Sequence, residues 1–156
     1  MTVLPIVTGS NNPLLRNKTE RITKVTKEIL KLIKNMKDTL KDEAGLGLAA
    51  NQVGEPFRLC LAKFNDKTNV MINPDITWKS EETDNSDEGC LSLPGLTVKI
   101  TRPIEITVVY LNEKGEEQER KLSGMDARII QHEVDHLDNI LICDYGEDDG
   151  KSAIEL

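Results

Sequence analysis

A chain of 156 residues, 38% hydrophobic and 30% charged, has the size and make-up of one soluble domain that buries a core without disulfide staples. Its net charge of −7 excludes a nucleic-acid groove, which needs a basic stripe to neutralise phosphates, and no apolar run reaches the length of a membrane span. The opening MTVLPIVTGSNNP has neither a basic n-region nor an Arg-rich transit character, so a single domain over residues 1–156 is expected in the cytoplasm.

Ile22, Val25, Ile29, Ile33, Met36 and Leu40 recur every three or four residues among Lys, Thr, Glu and Asp. This spacing predicts an amphipathic helix of about five turns. The segment KDEAG ends it, with Gly45 placed to take a left-handed cap. Next comes GLGLAANQVG, in which Gly45, Gly47 and Ala50 satisfy the dinucleotide pattern G-x-G-x-x-G/A. A phosphate-binding loop of that type must follow a strand and open a helix. Here it follows a charged helix, and Pro56 would break any helix begun at Ala49. The glycines serve another purpose.

The runs FRLCLAKF, VMINPDITW, LTVKI and IEITVVYL are short, β-branched and bounded by turn residues, and they read as strands. EETDNSDEG reads as an acidic loop, and Glu113-Lys114-Gly115 as a hairpin turn into a polar return strand. A second helix is expected from an N-cap at Ser123, with Asp126 completing a capping box, to about Asp138, where Asn139 can take the left-handed position. The tail, residues 143–156, is acidic and expected to be loosely ordered. Helix, several strands, helix, without β-α-β alternation, indicates an α+β domain with antiparallel sheets.

Cys60, Cys90 and Cys143 have no paired spacing, which argues against a disulfide framework. Cys60, inside an apolar run, reads as an inert buried thiol. The only two histidines form His132-Glu133-Val134-Asp135-His136. On a helix His132, Glu133 and His136 fall at about 0°, 100° and 40°. Two imidazoles one turn apart can ligate one ion, with the carboxylate beside it to handle a proton. A third ligand is then required. Glu147 and Glu155 lie in a tail with no evident helix to hold them. Cys90, in DEGCLSLPG between an acidic loop and a strand, would be deprotonated by a bound cation and completes an S,N,N set with His132 and His136.

Three motifs in order, GLGLAANQ, EGCLS and QHEVDHL, together with ITRPIEITVVYL and SGMDARIIQHE between them, resemble peptide deformylase over roughly residues 10 to 145. The resemblance implies antiparallel sheets packed around a central HExxH helix, and removal of the N-formyl group from formylmethionine at the start of new polypeptides. It implies one divalent ion, Fe(II) as the physiological metal with Zn, Ni or Co as substitutes. Glu133 would move the proton of the attacking water to the departing amine. Gln52 and the Leu91 N–H would hold the developing oxyanion. Gly47 and Gly89 would offer backbone to the peptide, and Leu46, Met125 and Ile129 would line a methionine pocket. Glu88 and Arg102 are candidates for an ion pair behind the Cys90 loop, with Asp135 a rival partner for Arg102. Asn139 stands where the family usually has Gly. Many bacterial members carry a further C-terminal helix that in some docks on the ribosome; with the acidic tail here, ribosome contact by that route is not expected.

Overall fold

The computed structural model describes all 156 residues. A single helical turn, α1 (Pro13–Arg16), is opened by Asn12, whose side chain accepts the Leu14 N–H. The long helix α2 (Lys27–Glu43) is capped by Thr26, which accepts the Ile29 N–H, and buries Ile29, Ile33, Met36 and Leu40 along one stripe. It starts later than the periodicity suggested. Ile22 lies ahead of it, held by the Asn73 side chain through both its N–H and its carbonyl at 2.8 Å.

The left-handed cap of α2 is Ala44 (φ 51°), not Gly45. Gly45 is small for a different reason. A Cβ there would sit 3.1 Å from a Leu40 methyl and 3.3 Å from a Leu91 methyl, where the chain passes between helix and site.

Seven strands follow: β1 (Gly47–Ala49), β2 (Leu59–Phe64), β3 (Lys67–Lys79), β4 (Thr83–Glu88), β5 (Val98–Pro103), β6 (Glu105–Leu111) and β7 (Glu117–Ser123). Five form one antiparallel sheet in the order β1-β2-β3-β6-β7, and β4 pairs with β5 as a separate antiparallel ribbon. The α+β class with antiparallel sheets is therefore observed. In β3 the register against β6 slips between Ile72 and Asp75, where Asn73 is left-handed (φ 52°) and Pro74 has no N–H to give a ladder. The expected hairpin turn is present, with Leu111 opposite Glu117 and Gly115 at φ 79°.

Strand β4 overturns the expected acidic loop. Its carboxylates would disfavour a strand in isolation, but neighbouring cations compensate them: Arg128 on Asp84, Lys99 on Asp87, and both Arg102 and Arg128 on Glu88. Tertiary partners outweigh intrinsic propensity here.

Helix α3 (Gly124–Leu137) follows β7 directly and packs on β1 and β2. Ser123 stands at its N-cap but makes no side-chain cap bond, so the capping box does not form. The turn into the helix is instead made by left-handed Gly124 (φ 61°), whose N–H bonds the Ile104 carbonyl at 2.9 Å. At the other end Asn139 is left-handed (φ 63°) and donates its amide to the Leu15 and Asn17 carbonyls. Ala127, Ile129, Ile130, Val134 and Leu137 join the main core, while Arg128, Gln131, His132, Glu133 and His136 are buried too. Buried polar groups need partners. On α3 that requirement points to the site.

The tail is not loose throughout. The Asp149 N–H bonds the Thr97 carbonyl, and Glu155 forms a parallel bridge with Gly89. Leu156 is only 2% exposed and belongs to the main core. The acidic composition of residues 144–149 masked the apolar anchor beyond it.

Candidate active site

The two histidines of α3 and Cys90, just past the end of β4, come together: their donor atoms all lie within 4.8 Å of one another, and all three residues are buried. Cys90 Sγ is 3.3 Å from His136 Nε2. Ligands around a tetrahedral ion at ~2.0–2.3 Å lie roughly 3.3–3.6 Å apart, so this separation fits a shared ion. His132 Nδ1 is 2.9 Å from Glu88 Oε1, which leaves Nε2 as its free donor, and that buried nitrogen has no partner in the protein. An orphaned imidazole nitrogen and a sulfur converging on a second imidazole fit a divalent transition-metal ion, for which thiolate and imidazole are suitable ligands.

Behind the donors lies a network of charges. Glu88, with no exposed side-chain surface, accepts from Arg102 Nε (2.6 Å) and Nη2 (2.9 Å) and from Arg128 Nη1 (2.5 Å). Burial alone would raise the Glu88 carboxyl, but Arg102 and His132 hold it far below the usual carboxylate range. Arg102 Nη1 also reaches Asp135 at 2.9 Å, so Glu88 and Asp135 are joint partners of Arg102 rather than rivals. Tyr145 closes this arm, donating its hydroxyl to Asp135 at 2.6 Å.

Burial disfavours the protonated form of both imidazoles. For His132 the neighbouring Cys90, Glu88 and Glu133 outweigh burial and push it up to about 10. His136 has less compensation, and burial together with His132 holds it well below its ordinary value.

Glu133 is fully buried, and neither carboxylate oxygen has a hydrogen-bond partner. Burial pushes its carboxyl up to about 7. It lies against Gly47, where any Cβ would collide with the Glu133 side chain. The glycine stretch thus lets backbone approach a carboxylate, not a phosphate. Three residues on from Ala49, Gln52 accepts the Ala49 N–H at Oε1 (2.9 Å), which aims its Nε2 at Ser92 Oγ (3.1 Å) and toward Cys90 Sγ (3.9 Å). Leu91 follows the sulfur, and its N–H makes no hydrogen bond within the chain. Leu46, Met125 and Ile129 line one open cavity with Phe64, and Met125 is half exposed. Gly89 lies beside Cys90, its backbone groups bonded to the tail.

Arg128, Ser92 and Asn51 were missed in the sequence. Asn51 Nδ2 donates to the His136 carbonyl at 2.6 Å and ties the glycine stretch to α3. Arg128 had a readable signal: it precedes His132 by one helical turn, an arginine in the otherwise apolar ARII. Besides Glu88 it bonds the Asp84 carboxylate at 2.7 Å and the Ile100 carbonyl at 3.1 Å, joining α3 to both strands of the ribbon. Arg128→Met should destabilise the fold by about 3 kcal/mol, because it strips a partner from a buried carboxylate. It should also weaken metal binding about 10- to 100-fold by loosening the group that orients His132. Urea unfolding and competitive metal titration measure the two effects.

A sequence model of the family described as polypeptide deformylase matches residues 3–151. The chain is 39% identical over 140 residues to the peptide deformylase of Natranaerobius thermophilus, covering 89% of this chain and 90% of that one. The crystal structure of peptide deformylase from Thermotoga maritima superposes with a TM-score of 0.89 at 37% identity, covering 94% of this chain and 99% of that one. A Met-Ala-Ser-bound class I type b peptide deformylase from Acinetobacter baumannii superposes with a TM-score of 0.86 at 30% identity, covering 92% and 98%.

Proposed function

The chain belongs to the polypeptide deformylase family, and from that membership we propose how its own residues remove the N-formyl group from formylmethionine at the start of new polypeptides, releasing formate. Cys90, His132 and His136 are the residues that would hold the metal, Fe(II) with Zn, Ni or Co as substitutes. When bound, this ion supplies Lewis acidity to the formyl oxygen and to water.

The formylated peptide lies extended along the Gly47 and Gly89 backbones, with its methionine side chain among Leu46, Met125 and Ile129. Glu133, raised to about 7 by burial, accepts the proton of the attacking water and returns it to the departing amine. As the formyl carbon becomes tetrahedral, the Gln52 amide and the Leu91 N–H donate to its oxygen. Glu88 keeps a hydrogen on His132 Nδ1 and so presents Nε2 to the ion. The HExxH helix α3 is on this reading the metal-binding centre of the fold.

The observation that carries the proposal is the fully buried, unpartnered Glu133 carboxylate in a helix whose two imidazoles meet a cysteine sulfur. Protein loaded anaerobically with Fe(II) or Ni(II) should release formate from formyl-Met-Ala-Ser. Full metal occupancy without turnover would make the chain a non-catalytic scaffold of the family. No helix is long and apolar enough to cross a membrane, and the partner on this reading is the nascent peptide itself, in the cytoplasm.

A further inference from the structure

Gly89 already has a peptide on it. Its N–H donates to the Ile154 carbonyl at 3.3 Å, and its carbonyl accepts the Leu156 N–H at 3.1 Å, with Glu155 directly opposite in a parallel bridge. A Cβ on residue 89 would lie 3.2 Å from Glu155 Cγ and 3.6 Å from Glu155 Cα, so the two backbones approach as closely as glycine permits. Leu156 is 2% exposed, in the buried cluster that contains Ile129 and against which Leu46 packs. Those are two of the three residues assigned to the methionine pocket. The segment therefore combines an extended backbone on Gly89 with an apolar side chain in the cluster beside it, the way strand addition binds a peptide.

We propose that residues 154–156 are a built-in competitor of the substrate, occupying the Gly89 edge until a formylated peptide displaces them. The inference rests on the deformylase reading of the site. The attachment suits a reversible occupant. Two hydrogen bonds and one buried leucine hold it, while Ile154 is 61% exposed and Lys151 and Ser152 are exposed. The preceding anchor, Asp148 and Asp149 on Thr97, tethers the segment close to the site when it is released. Substrate then meets a site of which only the open fraction is competent, which raises KM by the reciprocal of that fraction and leaves kcat unchanged at saturation.

Three metal-loaded forms test this with formyl-Met-Ala-Ser: the full chain, a chain ending at Gly150, and Leu156→Asp in the full chain. Both variants should show a KM at least about three-fold lower with kcat within about two-fold of the full chain. The peptide Ser-Ala-Ile-Glu-Leu added in trans should inhibit the shortened form competitively. Independently of turnover, saturating Met-Ala-Ser should shift the Glu155 and Leu156 amide resonances of the full chain to disordered positions. An unchanged KM, or Glu155 and Leu156 amides that stay protected under saturating Met-Ala-Ser, would overturn the proposal. So would a drop in kcat accompanied by a lower melting temperature, which would make the segment a structural strand. Displacement of the amides without formate release from any form would instead retire the deformylase reading and leave the competition standing.

Discussion

Glu133→Gln should slow formate release at least about 100-fold while metal content stays at the wild-type level, the range expected when a general base is lost. The substitution preserves the shape of a side chain wedged against Gly47 and adds no group that must find new room. What it removes is the capacity to accept a proton. Both oxygens of Glu133 are buried without partners, so no structural hydrogen bond is lost with the charge. A carboxyl that burial holds at about 7 exchanges a proton readily near neutrality, whereas an amide does not. Steady-state kinetics beside elemental analysis of the same sample separates the two functions. Turnover near the wild-type rate would remove Glu133 from the chemistry.

Cys90→Ala should have the larger effect on the metal itself, weakening its binding by more than about 100-fold, the upper end of what an outer partner of a ligand costs. The two imidazoles alone offer an incomplete set, since catalytic sites of this type rely on three protein ligands. The same variant distinguishes a deformylase from an HExxH peptidase that uses a carboxylate as third ligand. A peptidase would keep its ion. Of the carboxylates proposed for that role, Glu155 does come next to Gly89, but through its backbone, and it is not among the clustered donor atoms. Metal content after dialysis, read by elemental analysis, decides the matter.

The clustering of Cys90, His132 and His136 was legible because their identities and intervals are restrictive. Two histidines four apart on a helix must share a face, and with Cys60 in an apolar run and Cys143 near the tail, Cys90 was left as the third soft ligand. The hydrophobic strands were legible from their β-branched runs. What stayed hidden depended on partners distant in the chain. Strand β4 looks like a loop until Arg102, Arg128 and Lys99 are placed beside its carboxylates. The left-handed cap falls on Ala44, while Gly45 is kept small where the chain passes between Leu40 and Leu91, a constraint invisible in a window of local residues. The tail reads as solvated from its charges, yet one leucine at position 156 joins the core. Arg128 offered only the hint of an arginine in the apolar ARII, because its carboxylate partners Glu88 and Asp84 lie 40 and 44 residues away.

That pairing has a bearing on how the molecule comes by its metal. Glu88 is gripped by one guanidinium from β5 and another from α3, so the ribbon that leads into Cys90 and the imidazole-bearing helix are fastened to each other through ordinary side chains. On the metal-site reading, the arrangement of Cys90, His132 and His136 would be set by chain folding, with the ion arriving afterwards. Unlike small zinc modules, whose ordering waits on coordination, a chain fastened in this way should stay folded after chelation, which circular dichroism with and without a chelator checks.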